Sequence, residues 1–98
     1  MKEILTNLNK VLENRVRLGI MSALMVNDSV DYNRLKELLD VTDGNLASHL
    51  KVLEKQDMIK IHKKFIGRKS NTSYSPTEEG RNLFNQHLRA LEKLIRRV

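Results

Sequence analysis

Apolar residues recur at helical spacing from the start of the chain. Leu5, Leu8 and Leu12 are separated by steps of three and four, which predicts an amphipathic N-terminal helix within residues 1–13. Asn14 is placed to cap a second helix, whose buried stripe runs through residues 16–25. The chain is therefore expected to open with two helices.

Two further helices follow with almost no linker between them. Val30 is expected to start a short edge strand, Asp31 is placed to cap a helix that runs to Leu39, and Thr42 can cap the next helix. Helices separated by so few residues do not easily lie side by side in antiparallel order. The pair fits the steep crossing of a helix-turn-helix better.

The hydrophobic period changes to two after residue 56. Ile59, Ile61 and Phe65 fall on one face and polar residues on the other, which predicts a β-strand. The segment GRKSNTS then turns the chain, and TSYS returns it, so that a hairpin with a basic tip is formed. Pro76 lacks a backbone N–H and is expected to make the return strand less regular.

Thr77 is placed to cap a final helix with a long apolar stripe, whose 4-3 spacing is typical of a coiled coil. Because the core of so small a domain cannot cover this stripe, we expect a homodimer formed by the terminal helices. The N-terminal helix packs either across the two-fold axis or beneath the last helix, and a helix pair within one chain is the alternative to a dimer. The predicted interface residues are Leu5, Leu8, Leu12, Phe84, Leu88, Leu91, Ile95 and Val98.

Residues 42–55 combine an apolar face with a bare one. At about 100° per residue, Leu46, Leu50 and Leu53 fall within a narrow arc that must face the core. The opposite arc carries Gly44, Ser48, Lys51 and Lys55, with Asn45 beside it. Small polar groups near the helix start and lysines further along suit entry into a DNA major groove. The alternative is an ordinary surface helix.

The charge of the chain favours a polyanionic partner. Its 98 residues include 18 Lys and Arg against 12 Asp and Glu, a formal charge of +6, and no acidic residue lies between Met58 and Pro76. The absence of cysteine excludes disulfides, thiol catalysis and cysteine-based metal sensing. Since neither a membrane-spanning run nor a secretory leader is recognisable, we expect a cytoplasmic protein.

Three segments, VRLGIM, TDGNLASHLKVLE and GRKSNTSYSPTEEG, together resemble the small winged-helix transcriptional regulators of the MarR and ArsR type, over about residues 14–81. The resemblance implies a mainly α (α+β) fold, a winged helix-turn-helix with a two-stranded β-hairpin wing. It implies a single domain, residues 1–98, in which flanking helices within residues 1–13 and 78–98 mediate dimerisation. It also implies a homodimer that binds pseudo-palindromic double-stranded operator DNA as a sequence-specific regulator, and we expect a repressor.

Candidate DNA-binding residues follow from the helical wheel and from the resemblance. They are Thr42, Asp43, Asn45, Ser48, His49, Lys51 and Lys55 in the recognition helix, and Lys63, Lys64, Arg68 and Lys69 in the wing. Asp43 would repel phosphate and can instead cap the helix or accept from a cytosine amino group. His49 lies at the edge of the leucine arc and is either a packing residue or a DNA contact. Arg68 follows Gly67 and is the best candidate for a minor-groove contact.

Other functions have little support in the sequence. We find no nucleophile with an adjacent base, no carboxylate pair and no phosphate-binding glycine loop, so no enzyme activity is predicted. The three histidines lack ligand spacing, and neither a metal nor another cofactor is expected. The main alternative is a winged helix that serves as a protein-interaction module and binds DNA only non-specifically. A small-molecule effector is left open.

Overall fold

A computed structural model describes the backbone of residues 1–97 and the side chains of residues 1–96. This part of the chain contains, in order, α1 (Lys2–Thr6), a 3₁₀ helix (Lys10–Leu12), α2 (Arg15–Asn27), β1 (Val30–Asp31), α3 (Tyr32–Leu39), α4 (Asp43–Lys55), β2 (Ile59–Ile66), β3 (Lys69–Pro76) and α5 (Glu78–Arg97). The mainly α architecture with a β-hairpin wing confirms the predicted fold class. None of the described helices is long and apolar enough to cross a membrane.

The N-terminal segment consists of two pieces, where the periodicity predicted a single helix. α1 ends at Thr6 and the 3₁₀ helix begins at Lys10. Asn9, between them, is extended, and its side chain accepts the backbone N–H of Val11 at 2.9 Å. A local side-chain bond of this kind competes with a continuous helix, and it explains why the apolar stripe does not lie on one straight helix.

Side-chain caps begin α2, α3, α4 and α5 at the residues that the sequence predicts. The capping residues are Asn14, Asp31, Thr42 and Thr77, whose side-chain oxygens accept backbone N–H groups at distances between 2.8 and 3.2 Å. Each such cap stabilises its helix by about 0.5–2 kcal/mol. The caps at Asp31 and Thr42 fix where α3 and α4 begin, and thereby define the short turn between them.

The three strands form one antiparallel sheet in the order β1-β3-β2. β2 and β3 pair in unbroken register from Ile59 opposite Pro76 to Ile66 opposite Lys69, as predicted for the hairpin. The irregularity expected at Pro76 is absent, because this proline is the last residue of β3 and interrupts no interior pairing. β1 adds the predicted short edge strand at Val30.

One hydrophobic core joins the helices to the sheet. Its fully buried members are Leu12, Ile20, Met21, Leu24, Leu35, Leu46, Leu53 and Met58. Leu12 and Phe84, both predicted for the dimer interface, are 1% and 6% exposed and pack in this core. We correct both assignments, since side chains buried within their own chain offer no surface to a partner. Val98, the last predicted interface residue, lies outside the described residues.

The turn after α4 packs closely against the start of α5. Thr77 donates its hydroxyl to the carbonyl of Asp57 at 2.6 Å and its backbone N–H to the carbonyl of Met58 at 3.0 Å. A Cβ built on Gly80 would lie only 2.1 Å from that Met58 oxygen. The glycine therefore permits a close approach that fixes α5 relative to α4 and the base of the wing.

The N-terminal segment packs against α5 of its own chain. His87 is buried, and its Nδ1 accepts the backbone N–H of Asn9 at 2.9 Å. Nearby, the side-chain amide of Gln86 donates to the side-chain oxygen of Asn7 at 2.9 Å. Of the two arrangements expected for this segment, the structure has the one beneath the last helix.

Candidate nucleic-acid interface

α4 turns one face into the core and leaves the other open. Leu46, Leu50 and Leu53 are buried, as predicted. The exposed residues on the opposite side include Thr42, Gly44, Asn45, Ser48, Lys51 and Lys55. A Cβ added to Gly44 would meet no atom within 4 Å. Within the described chain this face is therefore free for another molecule to approach.

Ala47 is an exposed residue of α4 that the sequence analysis did not single out. Its methyl group lies among polar and charged neighbours, where it can make apolar contact with a thymine methyl in a major groove. A lone alanine in a helix is so common that it gives no sequence signal. Only its exposure beside Ser48 and Lys51 makes it a candidate.

The side chain of Asp43 is held by α3. Its carboxylate lies 3.1 Å from the ammonium of Lys36 and accepts the hydroxyl of Tyr32 at 3.2 Å. Lys36, followed by Tyr32, holds the pKa of the Asp43 carboxyl below its usual value. The carboxylate thus joins the two helices of the helix-turn-helix, and its charge is partly offset next to the open face of α4.

His49 is half-buried and lies on the flank of α4 that faces α2. Its Nδ1 is 3.0 Å from Nη1 of Arg17, and Nε of the same arginine donates to the carbonyl of Val11 at 2.7 Å. Burial lowers the pKa of His49, and the charge of Arg17 lowers it further. Arg17 is a residue that the sequence analysis missed, because a contact across 32 positions leaves no local pattern.

The wing carries the predicted basic residues on its exposed surface. Lys63, Lys64, Arg68 and Lys69 are all exposed. Gly67 has φ +66°, the left-handed conformation that a tight hairpin turn requires and that glycine adopts without strain. The turn therefore brings Arg68 to the tip of the hairpin.

Phe65 does not lie against the core, although the alternating pattern placed it on the same face as Ile59 and Ile61. Phe65 is 77% exposed, and its neighbour Ile66 is 61% exposed. The reason is that the hairpin extends beyond the helices, so that no element of the described chain covers its outer half. The period of a strand predicts which residues share a face, but not whether anything packs on that face.

The terminal helices expose a second surface, which is apolar. Leu5, Leu88, Leu91 and Ile95 are between 37% and 76% exposed, and Leu8 is half-buried. Beyond Phe84 the described chain covers α5 on the side of His87 and Ala90, which are buried, and leaves the later members of the stripe uncovered. Of the predicted interface residues that are described, these five remain accessible to a partner.

Two open cavities border these surfaces. One, of about 480 Å³, lies between α1 and α5 and is lined by Glu3, Ile4, Asn7, Lys93 and Arg96. The other, of about 510 Å³, lies beside the start of α4 and is lined by Arg15, Val16, Leu38, Leu39, Asp40, Val41 and Asn45. Among the described residues, no group of three His, Cys, Asp or Glu side chains is arranged to hold a metal ion.

Comparison with known proteins decides the family. Residues 16–95 match the family described as winged helix DNA-binding domain. The chain belongs to this family. It is also 32% identical over 89 residues to the uncharacterized protein MJ0432 of Methanocaldococcus jannaschii, covering 91% of this chain and 97% of that protein.

Solved structures of other proteins share the fold of this chain. A transcriptional regulator homologue from Pyrococcus horikoshii is 34% identical, with a TM-score of 0.83 over 96% of this chain and 91% of that one. NadR in complex with 4-hydroxyphenylacetate is 19% identical, with a TM-score of 0.74 over 97% of this chain and 67% of that one. At this identity the likeness establishes only a shared fold. Regulators of the MarR family also have this fold. These relatives confirm the resemblance and identify a winged-helix DNA-binding regulator rather than an enzyme.

Proposed function

We propose that this winged-helix protein is a cytoplasmic homodimeric repressor that binds double-stranded operator DNA in a sequence-specific manner. The observation that carries the proposal is the uncovered face of α4, with a basic hairpin following it in the same chain. A helix with this geometry can enter the major groove, because small and polar side chains near its N-terminus let it approach base edges closely.

The roles of the α4 residues follow from their positions and chemistry. Asn45 and Ser48 are short polar residues near the helix start and can bond to base edges, and Thr42 lies at the cap beside them. Lys51 and Lys55 lie further along the helix, where an ammonium can neutralise a phosphate. Asp43 is the weakest candidate for a DNA contact, since Lys36 and Tyr32 already bind its carboxylate.

The wing supplies contacts outside the major groove. Arg68 at the turn can enter a narrow minor groove, and Lys69, Lys63 and Lys64 can contact flanking phosphates. Because each phosphate contact releases counterions, binding is expected to weaken steeply with salt. The hairpin thereby adds affinity, and α4 adds most of the sequence preference.

Dimerisation would cover the exposed apolar surface of the terminal helices. Leu88, Leu91 and Ile95 recur at the spacing of a coiled-coil seam, and Leu5 and Leu8 lie on the segment packed beside α5. A two-fold dimer built on this surface presents two copies of α4 about 34–36 Å apart, one turn of DNA. We therefore propose a pseudo-palindromic operator.

A small-molecule effector is part of the proposal. The cavity between α1 and α5 adjoins the proposed dimer surface, and Glu3, Lys93 and Arg96 give it polar and charged walls. A ligand that bridges the two helices there would change how the terminal helices pack. It would be recognised by a rise in the unfolding temperature of the dimer.

The decisive experiment is selection of bound sequences from a random duplex pool at physiological salt. We expect an enriched inverted repeat with half-sites one helical turn apart. Asn45→Ala should lose the preference at one position of each half-site. Asn82→Ala is the matched control, because Asn82 is an exposed asparagine of α5 that is not among the candidate DNA contacts.

Two other results of the selection would contradict parts of this proposal. Binding without enrichment of any sequence, abolished at moderate salt, would favour a protein-interaction module with non-specific DNA binding. An enriched site without inverted symmetry would retain DNA recognition and overturn the proposed dimer geometry.

A further inference from the structure

Arg17 connects three separate parts of the fold. It belongs to α2, its Nε donates to the carbonyl of Val11 in the 3₁₀ helix at 2.7 Å, and its Nη1 lies 3.0 Å from Nδ1 of His49 on α4. Arg17 is half-buried, and the planar donors of its guanidinium contact two partners at once. The side chain therefore determines how the ring of His49 is oriented.

The contact with Arg17 also determines which nitrogen of His49 carries the proton. An arginine side chain has only donors, so Nδ1 of His49 must accept. The neutral imidazole then carries its proton on Nε2. Among the described residues, the charge of Arg17 acts in the same direction as burial, and both lower the pKa of His49, which keeps the ring neutral near pH 7.

His49 lies where its Nε2–H could donate a hydrogen bond to a DNA base. His49 lies one turn after Asn45 on α4 and is half-exposed at the flank of the open face. An Nε2–H at that place is a hydrogen-bond donor with a fixed direction. Its acceptor in a major groove would be N7 or O6 of guanine, or N7 of adenine.

We propose that Arg17 is a positioning residue that holds His49 as a neutral Nε2–H donor to a purine in the DNA major groove. The inference rests on the proposed DNA binding and adds to it a specificity-determining pair on α2 and α4. Through the Val11 carbonyl, the same arginine ties this pair to the N-terminal segment. A rearrangement of that segment would therefore move Arg17 and change the orientation of His49 on α4.

The first test needs no DNA. The ring of His49 is followed by NMR titration in the wild type, in Arg17→Met and in the control Arg15→Met, which removes an exposed charge from the first residue of α2. We expect Nε2–H as the single tautomer in the wild type. In Arg17→Met the pKa should rise and the tautomers should mix, whereas Arg15→Met should change neither. An unchanged His49 in Arg17→Met would overturn the proposal.

The second test is a double-mutant cycle on the selected duplex. Arg17→Met and His49→Phe should each weaken binding to that duplex by about 5- to 150-fold, the range for loss of one base contact. The double variant should lose little more than either single variant, because both remove the same interaction. Arg15→Met should combine additively with His49→Phe.

A direct role of Arg17 at the DNA backbone gives a different result. In that case Arg17→Met would weaken binding to all duplexes alike and lower the salt dependence by about one phosphate. That result, or additive losses in the cycle, would overturn the positioning role while the proposed function stands. Enrichment of no sequence by the wild type would instead overturn the proposed function and the purine contact together.

A variant that merely unfolds is recognised by its unfolding temperature, measured for each protein at the same concentration. Arg17→Lys serves as the second variant, since it keeps the positive charge but cannot bond to Val11 and His49 with a planar fork. In Arg17→Lys we expect the pKa of His49 to remain partly lowered and the ring to populate both tautomers. If Arg17→Lys kept the single Nε2–H tautomer and the wild-type DNA sequence preference, the proposal would be contradicted.

Discussion

Replacing Gly80 with alanine should destabilise the protein, although alanine in a helix is ordinarily favoured over glycine by about 0.5–1 kcal/mol. The added Cβ would lie 2.1 Å from the carbonyl oxygen of Met58 and 2.9 Å from its carbonyl carbon. These are backbone atoms, and the same oxygen accepts the N–H of Thr77 at 3.0 Å. Relief therefore requires moving α5 away from the turn after α4. Overpacking typically costs about 1–3 kcal/mol, and a 2.1 Å contact with backbone belongs at the upper end of that range. After the helical gain of alanine is subtracted, we expect a net loss of about 2 kcal/mol.

The assay is unfolding by heat and by urea at a fixed protomer concentration. A loss of about 2 kcal/mol corresponds to a fall in Tm of roughly 8–16 °C for a domain of this size. Gly44→Ala is the matched control, since its Cβ would meet no atom within 4 Å, and it should gain about 0.5–1 kcal/mol. Equal effects of the two substitutions, or a more stable Gly80→Ala, would refute the close approach of α5 to Met58.

The remaining predictions concern DNA, assembly and pH. In binding titrations over a range of salt, Arg68→Ala should weaken binding to every duplex and lower the salt slope by about one. Asn45→Ala should instead relax one base preference at a cost of about 1–3 kcal/mol there, and a retained preference would contradict its assignment. In sedimentation experiments Leu91→Lys should shift the protein towards monomer, whereas Val26→Lys, on an exposed apolar residue outside the predicted interface, should not. Burial lowers the pKa of His87, and Glu13 opposes this in part. Because the folded pKa is depressed, the stabilisation from neutral His87 is present above the ordinary value of 6.5 and is lost as the pH falls through the folded pKa. The free energy of unfolding of His87→Gln, measured with urea, should vary less with pH over that range than that of the wild type. The same pH dependence in both proteins would contradict this prediction.

Much of the fold follows from local sequence. The capping residues Asn14, Asp31, Thr42 and Thr77 could be predicted, because a cap needs only a short polar side chain two or three residues before the N–H that it accepts. The open face of α4 could also be predicted, because Leu46, Leu50 and Leu53 define the buried side of a regular helix. The winged-helix family was recognisable from the same segments.

Some residues were misassigned because the sequence does not show which part of each helix or strand is covered by another element. Leu12 and Phe84 have the spacing of an interface stripe, yet they lie where the N-terminal segment and α5 cross the core. Leu88 and Ile95 continue the stripe of Phe84 but are exposed, because in this part of α5 the chain covers only the side that carries His87 and Ala90. Phe65 is exposed for the corresponding reason on the wing.

The sequence by itself therefore determined the order of the elements, their buried faces and the basic character of the hairpin, because these properties depend on residues close together in the chain. The tertiary structure decided which apolar residues are covered and which polar residues meet, as Arg17 meets His49 and Lys36 meets Asp43. Such contacts depend on the relative placement of helices that are distant in sequence. Hydrophobic periodicity records the direction of a face along one element, but it contains no information about what lies opposite that face.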